Sequence, residues 1–481
     1  MKLVAMPLSE VKRTLLNRYL DGRVPPAGAA ARVITPRPSG QPAPVSLFQE
    51  QLLLRERNTP RIPRLYNECI TVRMRGALEV PVLERSLDEI VRRHEIWRTS
   101  YEYSNGYITQ IVHSSPEKIC LQVIDLRHLS PARQEAGLQQ VIGEVVCQPF
   151  DLEKGPLLRF RLVRTEDFAH RLFLIAHLSI VDGVSAYQIL PFELAALYRA
   201  FSLHQNSPLP GLAVQFADYA YWQRHWLQGE ELVGRVEYWR RQLAGVAPLA
   251  WPTDRPRTSR QTFRGAIHAF GLSKGPSNMM KALSQHEGVT FFVSLLSAFV
   301  ALLYCYTQQE DIVVGTPSPA GRKHSEVEKL LGYFLNPVAL RFDLTGNPTF
   351  RGLLQQAQRL TLEAISNDDV PVELLEQELR WGPDLSRYPF FTVAISLQPA
   401  MPTIDLDWNV TSMDVDNGGA PCDLYIAFID NPRGLMGRIQ YNPDLFASVM
   451  IARMLEDFQK LLESASGNPL KRLSELKLPH G

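Results

Sequence analysis

The chain has 481 residues, 45% of them apolar and 21% charged, with a formal net charge of +1. Such a length exceeds one ordinary core and points to two domains of about 200 residues each, while the near-neutral charge removes any general electrostatic reason to expect nucleic acid or an anionic membrane as partner. Five scattered cysteines (Cys69, Cys120, Cys147, Cys305 and Cys422) have neither zinc-ligand spacing nor the density of a disulfide framework, so reduced thiols in a cytoplasmic setting are expected.

Met1 to Pro7 lacks the basic and apolar stretches of a secretory signal. Leu8 to Leu20 carries Val11, Leu15, Leu16 and Tyr19 at helical spacing, and Asp21 to Pro44 follows with six prolines, a linker composition. The folded part is expected to begin near Val45, with residues 1–44 tethered to it. A helix is expected over Val45–Arg57 behind the capping Ser46, then a strand over Tyr66–Arg75. Pro81–Arg93 reads as a helix, with Leu83, Leu87, Ile90 and Val91 on one face and cations at its C-terminus. Ile96–Glu102 and Ile108–His113 flank Asn105-Gly106, a strong hairpin signal. A helix over Pro131–Val146 and strands over Arg159–Thr165 and His170–Ala176 complete an α/β order. The aromatic stripe in Gln215–Leu227 reads as the core face of a helix rather than a ligand platform. Another helix, Gly234–Leu243, precedes Pro248–Arg257, which is read as the bridge between two lobes, 45–250 and 251–481.

The second half repeats the order of elements without a residue-level repeat. It runs through a strand (Ala266–Leu272), helices (Ser277–His286 and Thr290–Thr307), a strand (Asp311–Thr316) and an irregular loop ending at Arg322. Gly332–Phe342 reads as a turn feeding a strand. Helices over Thr349–Ser366 and Val372–Leu379, three strands near Phe391–Gln398, Leu424–Asp430 and Leu435–Tyr441, and a helix over Leu445–Ala465 follow. Phe291–Cys305, the most apolar stretch, is too short to cross a bilayer and is expected in the core.

His177 to Gly183 (His-Leu-Ser-Ile-Val-Asp-Gly) links the apolar run Leu172–Ile175 to a helical pattern ending near Tyr198. A polar heptapeptide between a buried strand and a helix is where side chains can be presented on a rigid support, although Asp182 and Gly183 also suit a plain connection. No phosphate loop, dinucleotide fingerprint, His-Glu-x-x-His pair or Gly-x-Ser-x-Gly elbow is present. This disfavours dehydrogenases, kinases, metallohydrolases and α/β-hydrolases.

Seven segments in order resemble the condensation domains of nonribosomal peptide synthetases. Ser46-Leu47-Phe48-Gln49 is similar to that family's opening Ser-x-x-Gln helix, and Arg93-His94-Glu95-Ile96-Trp97-Arg98-Thr99 to its Arg-His-Glu-x-Leu-Arg-Thr segment. His177–Gly183 stands where the family has His-His-x-x-x-Asp-Gly, and Phe216–Tyr219 with Trp222 resembles its Tyr-x-Asp-Phe-Ala-x-Trp helix. Gly332–Asn336, Asn367–Glu373 and Asp384–Pro389 resemble three segments of the second half. The resemblance implies two chloramphenicol-acetyltransferase-like α/β lobes in a V, with a tunnel at their junction. It implies amide or ester formation between chains carried on the phosphopantetheine arms of upstream and downstream carrier proteins, in nonribosomal peptide or hybrid polyketide biosynthesis. Neither a bound cofactor nor a metal is implied.

One departure matters. The family's second histidine, assigned to general-base or positioning work, is Leu178 here, while His177, Asp182 and Gly183 are kept. Leucine neither takes a proton nor donates a hydrogen bond. By the resemblance His177 is structural, and Asp182 is held by an arginine, for which Arg322 and Arg341 are candidates. Ser179 is the nearest spare hydroxyl, and with Asn336, Ser386 and Arg387 it is expected at the tunnel or lobe junction. Three readings stay open: an acyltransferase working by positioning or with a replacement base, a silent domain that binds carriers or recruits a tailoring enzyme, and a processing domain for dehydration or cyclisation.

Overall fold

The computed structural model describes residues 33–58, 65–114, 118–272, 274–379, 384, 386–398, 404, 406–412, 416–431, 434–476 and 478. The helix expected over Leu8–Leu20 lies outside them. In chain order the first half comprises β1 (Ala43–Pro44), α1 (Leu47–Asn58), β2 (Asn67–Arg75), α2 (Val80–Arg93), β3 (Thr99–Ser104), β4 (Tyr107–Val112), β5 (Val123–Asp125), α3 (Pro131–Val146), β6 (Leu158–Glu166), β7 (Ala169–His177), α4 (Leu190–Ser202), α5 (Phe216–Trp226) and α6 (Gly229–Leu243). The second half comprises β8 (Ala266–Leu272), α7 (Lys274–Glu287), α8 (Phe291–Thr307), β9 (Asp311–Ser318), β10 (Asn336–Asp343), α9 (Phe350–Ile365), α10 (Val372–Glu378), β11 (Val393–Gln398), β12 (Trp408–Ser412), β13 (Leu424–Asn431), β14 (Gly434–Tyr441) and α11 (Ser448–Gly467).

Each half builds a mixed sheet. The first orders its strands β12-β2-β7-β6-β5 and the second β10-β9-β11-β13-β14-β8. Periodicity explains how the helices cover them. In α2 the side chains of Leu83, Leu87, Ile90 and Val91 are buried, Pro81 sits in the first turn and Arg92–Arg93 close the last. Each such apolar side chain contributes about 1.5–3 kcal/mol on burial. In α8 every residue from Phe292 to Tyr304 is buried, as its apolar sequence requires. No single helix among the described residues is long and apolar enough to cross a membrane.

Two features depart from the sequence reading. Residues 33–44 are not a tether: Ile34 is buried, Ala43 and Pro44 pair with β4, and Arg37 reaches Asp218 at 2.8 Å. The proline-rich composition hid this because those prolines keep the segment extended along the lobe rather than excluding it. The halves also interpenetrate. Strand β12, from the second half, pairs antiparallel with β2 from Trp408↔Met74 to Ser412↔Ile70. Val327, Leu330, Leu331 and Phe334 likewise pack into the core of the first lobe.

Candidate active site

The heptapeptide begins where β7 ends. His177 is fully buried at the strand's last position, and its ring is spent on two neighbours. The Ser179 backbone N–H donates to Nδ1 at 3.2 Å, and the Ser179 hydroxyl lies 2.7 Å from the same atom. A backbone amide can only donate, so Nδ1 is an acceptor and the proton sits on Nε2, which donates to Glu56 Oε2 at 2.8 Å. Ser179 is buried as His177's partner and does not line the cavity described below, which corrects its expected place in the tunnel. The Ser46–Gln49 motif supports the same loop. Ser46 and Gln49 cap α1 reciprocally, and the Gln49 amide donates to Ser179 O at 2.9 Å.

Asp182 clasps the two lobes. Arg322 donates to its Oδ1 at 2.9 Å and Oδ2 at 3.0 Å, while the N–H groups of Ser185 and Phe334 donate at 2.7 and 3.2 Å. Both residues are 2% exposed. The Ser185 hydroxyl donates to Gly332 O at 3.0 Å and accepts from Arg322 at 2.7 Å. Arg341, the other candidate, instead binds Asp311 through two contacts of 2.8 Å, on the far side of the β9–β10 hairpin. Its place in β10 points it there, so of the two candidate arginines Arg322 is the one that partners Asp182.

A second latch uses the Arg-His-Glu segment. Glu193 accepts from Arg93 at 3.0 Å and lies 2.8 Å from His94 Nε2, while the Leu331 N–H donates to His94 Nδ1 at 3.3 Å. Asn336 is a third junction residue. It donates to Asp368 O and Val370 O at 2.7 and 2.8 Å and accepts from Gln51 at 3.3 Å. Ser386 and Arg387 bind Asp384 at 2.5 and 3.3 Å, and neither lines the cavity; their neighbour Tyr388 does.

Between the lobes lies a cavity of about 370 Å³. Leu178 and Gly183 line it, so the loop that buries His177 turns the next side chain inward. Leu178 packs against the apolar cluster of Phe48, Leu52, Leu65 and Tyr333, and its N–H donates to Tyr66 O at 2.7 Å. A Cβ added at Gly183 would meet nothing closer than the Tyr187 ring at 3.8 Å. After the heptapeptide, Ser185–Ile189 forms a π-helical turn. Pro191 lacks the N–H that a regular helix would pair with Tyr187 O, and the wider turn absorbs that break and brings Tyr187 and Gln188 to the cavity.

Among the described residues lining the cavity there is no histidine. Burial raises the phenols of Tyr66, Tyr333 and Tyr388 above their ordinary value, so all three stay protonated donors. Arg55 sits 2.6 Å from Glu373 and 4.2 Å above the Tyr388 ring. Burial opposes its charge, yet the carboxylates of Glu373 and Glu376 favour it, and the guanidinium stays protonated. Sequence reasoning missed Glu56, Arg55 and the cavity tyrosines. Glu56 and Arg55 lie on successive positions of α1, the one local hint that this helix serves the loop and the cavity.

Residues 40–480 match the family model described as Condensation domain. One of the subunits of linear gramicidin synthase from Brevibacillus parabrevis is 39% identical over 478 residues, which cover 98% of this chain and 9% of that protein. The chain thus spans less than a tenth of that relative's length. Among solved structures, the X-domain from teicoplanin biosynthesis superposes with a TM-score of 0.80 at 25% identity, covering 93% of this chain and all of that one. The same domain is also known in complex with OxyB. The first condensation domain of the CDA synthetase superposes with a TM-score of 0.80 at 18% identity, over 92% of this chain and 100% of that one, a likeness of fold. The two lobes therefore have the chloramphenicol-acetyltransferase-like fold, and the chain belongs to the condensation domain family of nonribosomal peptide synthetases.

Proposed function

We propose that the junction cavity receives an acyl or peptidyl thioester carried on the phosphopantetheine arm of a carrier protein and joins it to an acceptor by positioning, without histidine base catalysis. The observation that carries this reading is an open cavity between two firmly clasped lobes, with a leucine in its wall at the base position. In the reaction the acceptor nitrogen attacks the thioester carbonyl. A C–N bond forms, the C–S bond breaks and the thiolate leaves, while solvent takes the amine's proton and returns one to the thiolate. Holding the two reactants together supplies most of the gain, since effective molarities of about 10⁵–10⁸ M are reached by well-oriented pairs. The phenols of Tyr66, Tyr333 and Tyr388 offer protonated donors on the same wall for the developing oxyanion.

Mass spectrometry of loaded donor and acceptor carriers tests this. Product above the uncatalysed background, abolished by Gly183→Trp, supports it. That substitution directs an indole into the cavity that Gly183 lines, and the backbone there has room for its Cβ.

A second reading is favoured by Leu178 together with the likeness to the teicoplanin X-domain, which is known in complex with OxyB. In that reading the domain performs no condensation and holds a carrier-bound chain for a tailoring enzyme. Carrier binding with an unchanged tethered chain would favour it over acyl transfer.

A further inference from the structure

Arg438 stands on β14, in register with Ala427 of β13 and Ala269 of β8, small neighbours that leave its side chain room. It is 8% exposed and lines the junction cavity, yet no described residue accepts a hydrogen bond from it or closes an ion pair with it. The contrast with the other arginines of the lobe junction is sharp. Arg322 is engaged on every side, and Arg55 is paired with Glu373. Glu68 of β2 lines the same cavity. Burial raises its carboxyl above the ordinary value while the charge of Arg438 pulls the other way. Beside them the hydroxyls of Ser396 and Tyr425 share a 2.7 Å hydrogen bond on the same cavity face. A guanidinium that opens onto a cavity without an acceptor is free to receive one, and its planar fork fits a carboxylate through two parallel hydrogen bonds.

We propose that Arg438 recognises a carboxylate borne by the tethered acyl chain, in a subsite shared with the Ser396–Tyr425 hydroxyl pair. The proposal rests on the reading that the cavity receives such chains. Glu68 opposes an incoming carboxylate and tunes how tightly it is held.

The test is calorimetric binding to the full 481-residue chain, so that it does not depend on turnover. The probes are two pantetheine conjugates with a stable amide in place of the thioester: one with an adipoyl chain ending in carboxylate, the other its isosteric carboxamide. The carboxylate is expected to bind about 10- to 100-fold more tightly, the worth of one hydrogen-bonded charge. Arg438→Gln should erase that preference while leaving carboxamide binding unchanged. Arg438→Lys, which keeps the charge, should retain part of it and serves if the glutamine variant fails to fold. Glu68→Gln should move the preference the other way, an increase that a merely structural role would not produce. Equal binding of the two probes overturns the subsite alone. Binding of neither probe overturns both the subsite and the reading on which it rests.

Discussion

Replacing Arg322 by methionine is the perturbation whose cost the geometry defines best. The guanidinium donates to both Asp182 oxygens, to the Ser185 hydroxyl at 2.7 Å, and to the carbonyls of Leu330 and Val327 at 3.1 and 3.3 Å. Its loss leaves Asp182 buried with two of four donors, the amides of Ser185 and Phe334. Removing one partner of such a pair costs about 3–5 kcal/mol, a large share of the roughly 5–15 kcal/mol that holds a domain folded. Urea unfolding followed by tryptophan fluorescence measures it. Arg322→Met should lower the unfolding free energy by that amount, and Asp182→Asn combined with it should cost less than the two singles together, with a coupling of about 1–3 kcal/mol. A loss below about 1 kcal/mol, or strict additivity, would refute the role of this pair as a clasp.

Three further outcomes follow from neighbouring contacts. Gly321→Ala would put a Cβ 2.4 Å from Tyr219 Oη and 2.9 Å from the Phe334 ring, so it should destabilise by about 1–3 kcal/mol; unchanged unfolding would contradict that packing. Burial raises the Glu376 carboxyl to about 7, with Arg55 opposing and Glu373 adding to the shift. The folded state thus holds this proton more tightly than the unfolded chain, and stability should fall as pH rises from about 4.5 to about 7. Glu376→Gln should flatten that decline, and identical slopes would contradict it. His177→Ala strips Glu56 and Ser179 of a partner in the interior and should cost about 2–4 kcal/mol, with turnover per folded molecule changed less than tenfold. A collapse of turnover at intact stability would give His177 a chemical role instead.

Local signals carried most of the fold. The apolar stripe of α2, the Asn105-Gly106 turn of the β3–β4 hairpin and the uniformly apolar α8 each depend on neighbours within a few residues, and each stands where its pattern places it. Pairings across the chain left no such trace. Strand β12 joins β2 over more than 330 intervening positions, and nothing in Trp408–Ser412 marks which sheet it enters. The site divides the same way. That position 178 offers no base was legible from the heptapeptide, but Glu56 as His177's partner was not, because 121 positions separate them. Arg322 and Arg341 are equivalent as sequence; only the clasp of Asp182 against the loop after β9 separates them. Ser386 and Arg387 lie within a family-like segment, yet their side chains turn to Asp384 while Tyr388 reaches the cavity.

The most direct test of a cavity that works by positioning is the single-turnover rate of transfer between loaded carriers as a function of pH, for the native chain and for Leu178→His. With Leu178 in the wall, the rate should exceed background and track only the ionisation of the acceptor amine, near 7.7–8.0 for an α-amino group. Leu178→His should raise it by up to about 10²- to 10⁴-fold and add a titration near the histidine value of roughly 6.5. No transfer by either protein, with carriers bound, would contradict the acyltransferase reading.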